Sequence, residues 1–561
     1  MKNNPRLSIQ VLILIFSMMS VNAQRDLGYR PTDSGGPLLP EQAAYDVTFY
    51  DLDMAIFPDE QSIKANLTVT ANIVHPLEWF VLHLDMAYMV SAVELIDSDK
   101  ATPLNFSHRE GQVWSHLRPS KQPGEAVAIK VTYHGKPPVA KAPPWVGGFT
   151  WDKTASGQHW FATSCQNDGA DLWWPCKDHP SDEPDSMALS FTVPKPLVAA
   201  SNGKLRGVTE NQDGARTYNW FVSTPINNYG VALNVAPYRT IEETYTSIAG
   251  ETIPVTYWVL PENVEKGKVL MKEILQHLAY FEKMLGPYPF RADKYGVAET
   301  PFLGMEHQTI IAYGNNYRSG PWGYDILHHH ELGHEWWGNL VTALDWRDFW
   351  LHEGLCSYMH PLYMEHLQGR EAYLNALQGS RSRIKNDKPV APRTSHTTTE
   401  IYFTAPDYTS THGGIFNKGV WVLHTLRYLI GDDAFFKSLR RMAYPTPEME
   451  TMIDGRQCRF ATTDDFVALV ESISGMKLGW FFEVYIRQPI LPRLVKHVRE
   501  NALVLRWETP ENLPFPLPVE VEIAGKVQRI AMGNGENSLK LPAGARYKID
   551  PNQWLLMEQV E

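Results

Sequence analysis

The chain has 561 residues, which is too many for a single hydrophobic core and predicts about three domains. Its formal net charge of −12 argues against nucleic-acid or anionic-membrane partners, because both attract basic surfaces. Four cysteines are too few for a disulfide framework in a chain of this length. Cys165 and Cys176 can pair in an oxidising compartment, whereas Cys356 and Cys458 are expected to be single.

Residues 1–23 have the pattern of a secretory signal. The positive residues Lys2 and Arg6 precede a mostly apolar stretch at 7–20, and a small-residue cleavage site ends at Ala23. The apolar stretch is short and interrupted, so a retained membrane anchor is the less favoured alternative. We therefore expect an exported protein, periplasmic if its source is a Gram-negative bacterium or otherwise secreted, with no stable membrane insertion after signal cleavage.

In the region after the signal, residues 24–252, apolar and polar residues alternate over short runs from Tyr45 onward. This alternation is typical of half-buried strands. One run has apolar residues at every second position: Ile63, Ala65, Leu67, Val69, Ala71 and Ile73. Turn residues separate such runs, and a loop rich in proline and glycine at 136–160 interrupts them. The pattern predicts an N-terminal antiparallel β-domain.

Helical periodicity replaces the alternation from about residue 253. The first helix is indicated by apolar residues at helical spacing: Val269, Met271, Ile274, Leu275, Leu278, Phe281 and Leu285. Gly286-Pro287 is expected to end this helix. Helical patterns dominate as far as residue 488, and alternation returns over residues 489–561. The sequence therefore predicts a multidomain α+β protein with an α-rich domain at 253–488 and a small C-terminal β-domain at 489–561.

The residues His-Glu-Leu-Gly-His at 330–334 place two imidazole side chains one helical turn apart. Residues four apart lie on one face of a helix, with Cβ atoms about 5–6 Å from each other. His330 and His334 can therefore both bind one zinc ion. Glu331 is rotated off that face, where it can hold a water molecule bound to the metal.

A second helix is expected to complete this site. Gly338 is suited to end the first helix, and a new apolar pattern begins near Phe349. The new helix can bring Glu353 back against the histidines, which leaves one tetrahedral position open, as in catalytic zinc sites. Cys356 falls one turn after Glu353 and can face the site, but we expect it to be a small buried apolar residue.

Several stretches of the chain resemble one family, and they occur in that family's order. They are CQNDGADLWWPCKDHPSDEP at 165–184, LGMEH at 303–307, HELGHEWWGNLVT with the following WLHEG, and FNKGVWVLHTLRYLIGDDAFF at 416–436. This combination resembles the gluzincin aminopeptidases, the family of aminopeptidase N and leukotriene hydrolase. The chain is similar to a short form without the C-terminal helical domain of the family's longer members, so a more open cleft is expected.

The resemblance implies a fold and a reaction. The α-rich domain at 253–488 would be a thermolysin-like zinc peptidase domain between two β-domains. One zinc ion would be bound by His330, His334 and Glu353, and Glu331 would be the general base that takes the proton of the attacking water.

The substrate contacts are implied in the same way. Glu306 in the LGMEH motif matches the family's glutamate for the free α-ammonium group, and Gly304 and Met305 stand beside it in that motif. Gln166 matches a glutamine of the β-domain that helps to bind the same end of the substrate. The implied substrates are therefore peptides with a free N-terminus.

The chain departs from the family pattern at three positions. Leu303 replaces the first glycine of the motif, which makes the backbone near the substrate less free, and His307 replaces an asparagine. Phe416 stands where the family has a tyrosine that donates a hydrogen bond to the oxyanion. Losing one such donor typically costs roughly 10²–10³ in turnover. Tyr408 or Tyr402, in the preceding loop, can substitute if the chain folds back.

These observations leave two classes of function. The favoured one is a zinc metallo-aminopeptidase that hydrolyses N-terminal residues from peptides. The alternative is a catalytically weak zinc-binding homologue that binds peptides or a protein partner, which the phenylalanine at the tyrosine position keeps open. The intact ligand set and Glu331 favour the enzyme, because binding alone needs no general base. An epoxide hydrolase would use the same site, but no feature of the sequence selects it.

Overall fold

The computed structural model describes residues 33–98, 100–403, 412–542 and 544–558. The predicted signal at 1–23 and the tyrosine at 408 lie outside these residues. In the described part of the chain, every helix is too short or too polar to cross a bilayer.

The N-terminal region is built from strands, as the alternation predicts. The first group is β1 (Tyr45–Phe57), β2 (Ser62–Ile73), β3 (Leu77–His83), β4 (Tyr88–Asp97), β5 (Lys100–Pro103), β6 (Asn105–Arg109), β7 (Gln112–Lys121) and β8 (Ala126–Gly135). The second group is β9 (Gly148–Lys153), β10 (His159–Ser164), β11 (Ser186–Pro194), β12 (Val198–Ser201), β13 (Lys204–Glu210), β14 (Ala215–Val222), β15 (Leu233–Ala236), β16 (Arg239–Thr246) and β17 (Thr252–Val259).

An eight-stranded sheet forms the body of this region, in the order β13-β14-β11-β1-β2-β8-β4-β5. Its ladders are antiparallel except for β1 and β11, which pair in parallel. In β1 and β2 the apolar residues at alternate positions are buried, including Leu52, Met54, Leu67 and Val69. Burying one such side chain stabilises the fold by about 1.5–3 kcal/mol. Smaller sheets, β12-β15-β10-β9 and β3-β7-β6, complete the region.

The next region contains the helices and a second sheet. Its strands are β18 (Tyr295–Glu299), β19 (Gly304–Met305), β20 (Ile311–Tyr313), β21 (Val341–Ala343) and β22 (Arg459–Ala461). Its helices are α1 (Val264–Leu285), α2 (Ile326–Gly333), α3 (Trp350–Gln368), α4 (Arg370–Arg381), α5 (Thr398–Tyr402), α6 (Gly419–Ile430), α7 (Asp432–Ala443), α8 (Thr463–Ser474) and α9 (Gly479–Phe482). The first helix ends at Leu285, before Gly286, as predicted.

The second sheet has the order β16-β17-β18-β20-β19. Strands β17, β18 and β20 pair in parallel, and β19 is antiparallel to β20 at the edge. The sheet continues across the predicted domain boundary at residue 252, because β16 precedes that residue. The domain boundaries themselves stay a prediction. Helix α2 packs beside this sheet, where it contacts β19 and β20, and α3 packs against α2.

The C-terminal region returns to strands. These are β23 (Arg493–Arg499), β24 (Ala502–Glu508), β25 (Val519–Ile523), β26 (Lys526–Ile530), β27 (Glu536–Lys540) and β28 (Tyr547–Ile549). They form two three-stranded sheets, β23-β24-β27 and β26-β25-β28. The segment after β28 lies against the helices, where the Tyr485 hydroxyl donates to the Leu556 carbonyl at 2.6 Å. The predicted α+β architecture with β-rich ends is confirmed.

Candidate active site

Helix α2 carries the two histidines of the HELGH motif. The Asp325 side chain caps its N-terminus by accepting a hydrogen bond from the His328 amide at 3.0 Å. The helix ends at Gly333, not at Gly338 as predicted, because the chain turns sharply there and Trp337 forms a bridge with Val341. His330 and His334 are still one helical turn apart, because the backbone of His334 keeps right-handed helical angles.

Three predicted zinc ligands meet at one point between α2 and α3. The Nε2 atoms of His330 and His334 are 3.1 Å apart. Glu353 Oε2 lies 3.4 Å from the first nitrogen and 3.6 Å from the second. Ligands at zinc bond lengths of about 2.0–2.2 Å are separated by about 3.4 Å in a tetrahedron. The three donor atoms therefore fit one zinc ion.

Two further contacts support this donor set. His334 Nδ1 donates a hydrogen bond to the Trp337 carbonyl at 2.9 Å, which leaves Nε2 free to face a metal. Glu353 is 3 % exposed, and its Oε2 has no hydrogen-bond donor in the described part of the chain. A buried carboxylate oxygen without a donor is costly unless a cation binds it.

Glu331 lies on α2 beside the donor atoms and is almost fully buried. Its Oε1 approaches the backbone of Gly304 so closely that a Cβ added there would be 2.9 Å away. Burial raises the pKa of Glu331, with Glu306 and Glu353 adding to the rise and His330 opposing it. The motif glycine therefore provides space for this carboxylate.

Glu306 and Gln166 meet in the same site from different regions of the chain. Gln166 follows β10, Glu306 follows β19, and the Gln166 amide donates a hydrogen bond to Glu306 Oε1. Both side chains are buried, and burial raises the pKa of Glu306. The two residues assigned to the amino end of a substrate are therefore in direct contact, although 140 residues separate them.

A cavity of about 530 Å³ joins these groups. Its lining includes every predicted site residue that the structure describes: Gln166, Gly304, Met305, Glu306, His330, Glu331, His334, Glu353 and Phe416. It also includes residues that the sequence does not single out: Pro144, Trp145, Asn315, Ile326, Leu327, Ser357, His360, Ser380 and Arg383. Those residues carry no motif, so only the folded chain reveals them.

Tyr402 also lines this cavity, next to Phe416. The two rings meet edge to face, with centroids 5.7 Å apart. Burial raises the pKa of Tyr402, and Trp145 opposes the rise, so the hydroxyl keeps its proton. Of the two tyrosines considered as substitutes, Tyr408 lies outside the described residues. Tyr402 therefore brings a hydroxyl to the cavity where Phe416 has none.

The cysteines differ from the predictions in two ways. Cys165 and Cys176 are free and buried, so the structure contains no disulfide between them. Cys356 is buried as expected, but it does not act as an apolar residue. Its Sγ donates to the His330 carbonyl at 2.9 Å and lines the cavity, because Gly333 leaves room for it.

The two other departures from the family motif have different outcomes. Leu303 does not adopt a left-handed backbone conformation, so no glycine is required there, and its side chain is 43 % exposed at the cavity. His307 is fully buried, and neither ring nitrogen has a hydrogen-bond partner among the described residues.

The relatives of this chain include proteins named aminopeptidases. The chain is 24% identical over 375 residues to leucine aminopeptidase 2 of Sclerotinia sclerotiorum, covering 63% of this chain and 59% of that protein. It is 24% identical over 383 residues to human glutamyl aminopeptidase, covering 64% of this chain and 38% of that protein. The chain therefore spans less than two thirds of either relative.

Among solved structures, an M1 zinc metallopeptidase mutant from Deinococcus radiodurans bound to the substrate Tyr-Ser-Ala superposes with a TM-score of 0.65. The identity is 24%, and the match covers 82% of this chain and 98% of that one, which shows a common fold. The family model of the peptidase M1 N-terminal domain matches residues 47–229, and that of the peptidase family M1 domain matches residues 276–485. These two matches cover most of the chain in order, and the chain belongs to peptidase family M1.

Proposed function

We propose that this protein is a zinc-dependent aminopeptidase that removes N-terminal residues from peptides. The carrying observation is that three zinc-type donor atoms, of His330, His334 and Glu353, lie 3.1–3.6 Å apart in a cavity that also holds Glu331 and Glu306. The relatives named aminopeptidases support the same reaction class.

One zinc ion held by those three side chains would supply a Lewis acid that activates water and polarises the scissile carbonyl. Glu331 is the only carboxylate of the HELGH motif, and it lies beside the donors without being one of them. We assign it the role of general base, which accepts the proton of the attacking water and passes it to the leaving amine.

Glu306 and Gln166 bind the α-ammonium group of the substrate in this proposal. A buried carboxylate is the natural partner of a buried ammonium group, because neither is stable alone in an apolar site. The amide of Gln166 fixes the position of the Glu306 carboxylate through their hydrogen bond. Gly304 and Met305 line the wall beside them. Fixing the amino end in this way restricts cleavage to the first peptide bond.

The alternative function is a catalytically weak homologue that binds peptides or a protein partner. Phe416 is the observation that favours it, because a phenyl ring cannot donate a hydrogen bond to an oxyanion. Tyr402 argues against it, since its hydroxyl is in the same cavity.

We also propose export, because of the signal pattern at 1–23. Fractionation of the source cells tests the export proposal.

The test of the main proposal is hydrolysis of a panel of fluorogenic aminoacyl substrates by the zinc-loaded protein. Glu331→Gln keeps the size of the side chain and removes its basicity, so turnover should fall by about 10²–10⁴ while bound zinc is unchanged. N-acetylation of the substrate should abolish cleavage. If the wild type binds zinc stoichiometrically but turns over no faster than Glu331→Gln, the result would refute the enzyme and favour the binding alternative.

A further inference from the structure

Cys356 is a buried nucleophilic group that the proposed mechanism does not use. It lies on α3, one turn after Glu353, and lines the cavity. Its Sγ, a ring nitrogen of His330 and a ring nitrogen of His334 all lie within 4.8 Å of one another. Sulfur and imidazole nitrogen are both common zinc ligands. The two histidines therefore face the Cys356 sulfur as well as the Glu353 carboxylate.

The fold provides a specific space for this sulfur. A Cβ added to Gly333 would lie 2.7 Å from Cys356 Sγ and 3.0 Å from the Phe281 ring, so only a glycine leaves the slot open. The thiol is oriented there by donating to the His330 carbonyl at 2.9 Å. The glycine between the two histidines thus lets the thiol approach them.

The other cysteines do not share this placement. Cys165 Sγ donates to the Tyr229 carbonyl at 3.8 Å, and Cys176 is buried in the N-terminal β-region. Within the described ranges, the groups of potential metal ligands with mutually close donor atoms include Cys356 and no other cysteine. Cys458 is free and partly exposed, which makes it a suitable control.

We propose that the Cys356 thiolate is a ligand of the zinc ion in the substrate-free protein. Zinc bonds of about 2.3 Å to sulfur and 2.0–2.1 Å to nitrogen need an S···N separation of about 3.5 Å in a tetrahedron. To bind the metal, the thiol would leave its hydrogen bond with the His330 carbonyl. The inference rests on the proposed zinc site. It adds a resting state in which Cys356 is a further ligand.

The coordination step is balanced without any further reagent. In the resting state the Cys356 S–H bond would break, its proton would leave to solvent through the cavity, and the thiolate would help to hold the zinc ion in place of a water molecule. Entry of a peptide would reverse the step: the sulfur would take a proton from solvent and return to its hydrogen bond with the His330 carbonyl. The resting centre is then closed by protein donors, as structural zinc sites are.

Cobalt(II) substitution tests this proposal by spectroscopy. Thiolate bound to cobalt gives an intense near-ultraviolet charge-transfer absorption that nitrogen and oxygen donors do not give. We expect this absorption in the cobalt-loaded wild type and in Cys458→Ala, and its loss in Cys356→Ala. Zinc affinity should also fall by about tenfold or more in Cys356→Ala, because a donor is removed.

Absence of the absorption in a wild type that holds cobalt stoichiometrically would overturn the proposal, as would its persistence in Cys356→Ala. If Cys356→Ala does not fold, Cys356→Ser keeps the hydrogen bond to the His330 carbonyl and removes the sulfur. Iodoacetamide labelling gives a second readout: zinc should protect Cys356 and leave Cys458 labelling unchanged.

The spectrum also separates this inference from the proposed enzyme function. Glu331→Gln should lose turnover and keep the charge-transfer absorption, because Glu331 is not a metal ligand. A wild type that hydrolyses aminoacyl substrates without this absorption leaves the enzyme intact and refutes the thiolate ligand. A protein that shows the absorption but no turnover would support the thiolate ligand and refute the proposed enzyme function.

Discussion

The hydroxyl of Tyr402 matters for the proposed reaction, because peptide hydrolysis develops negative charge on the scissile oxygen. A donor fixed in advance stabilises that charge more than water does. The Phe416 ring lies at the cavity without such a donor, and Tyr402 stands edge to face against it. Burial raises the pKa of Tyr402, so its hydroxyl keeps the proton that a donor needs.

Tyr402→Phe should therefore lower kcat by about 10²–10³ while KM changes little, because the lost hydrogen bond forms mainly in the transition state. Steady-state kinetics on the best aminoacyl substrate measures both constants. Adding Phe416→Tyr to this variant should recover part of the lost kcat, since the hydroxyl returns to the same cavity. Equal kcat values for the wild type and Tyr402→Phe would exclude Tyr402 as the donor.

Glu306→Gln should weaken binding of the amino end of the substrate. A hydrogen bond to a charged group contributes about 1.5–3 kcal/mol, so kcat/KM should fall by about 10- to 100-fold. Competitive inhibition by leucine should weaken by a similar factor. Inhibition by the leucine analogue that lacks the amino group should not change. A similar loss for both inhibitors would mean that Glu306 shapes the cavity and does not recognise the ammonium group.

Helix α5 has only five residues, so its position depends on its cap and its anchor. Thr397 and Glu400 form a capping box at its start. The hydroxyls of Thr398 and Thr399 donate to the Asn167 carbonyl at 2.8 and 3.3 Å. The helix is thereby fixed to the loop that also carries the glutamine at 166, and its last residue is Tyr402.

Thr397→Ala should lower both the free energy of unfolding and kcat. The stability cost is about 1 kcal/mol for a lost cap, and kcat should fall several-fold because Tyr402 is held less firmly. Thr462→Ala is the matched control, since Thr462 and Asp465 form the same capping box on α8, away from the cavity.

Urea unfolding and steady-state kinetics on both variants measure the two effects separately. We expect a similar stability loss in Thr462→Ala with no change in kcat. Equal kcat for Thr397→Ala and Thr462→Ala would show that the α5 cap contributes to stability alone.

Local patterns predicted many of the elements and the closeness of the two histidines, because both depend on short spacings along the chain. The helix period identified α1, and the four-residue spacing placed His330 and His334 together. The role of α5 was not predictable in the same way, since its anchor joins residues 231 positions apart. The position of Cys356 depends on the packing of α3 against Gly333, which no single-sequence pattern reports.

The N-terminal β-region and the helical region are joined by buried hydrogen bonds as well as by Gln166. The Asn202 amide donates to the Gln308 carbonyl at 2.7 Å, and Lys294 Nζ donates to the carbonyls of Ser201 and Thr309, both at 2.9 Å. Breaking such contacts leaves buried polar groups unsatisfied, which costs about 1–3 kcal/mol each. The site is therefore assembled on two regions that are held together close to it.

Metal removal should lower the stability of the whole molecule. The proposed zinc donors come from two helices, so zinc should bind only the folded state, and binding at 100 times Kd stabilises by about 2.7 kcal/mol. Removal also leaves the buried Glu353 carboxylate without a cation. A chelator should therefore lower Tm, and added zinc should restore it. Glu331→Gln should keep this zinc-dependent shift and His334→Ala should lose it. A shift that survives in His334→Ala would place the stabilising metal elsewhere.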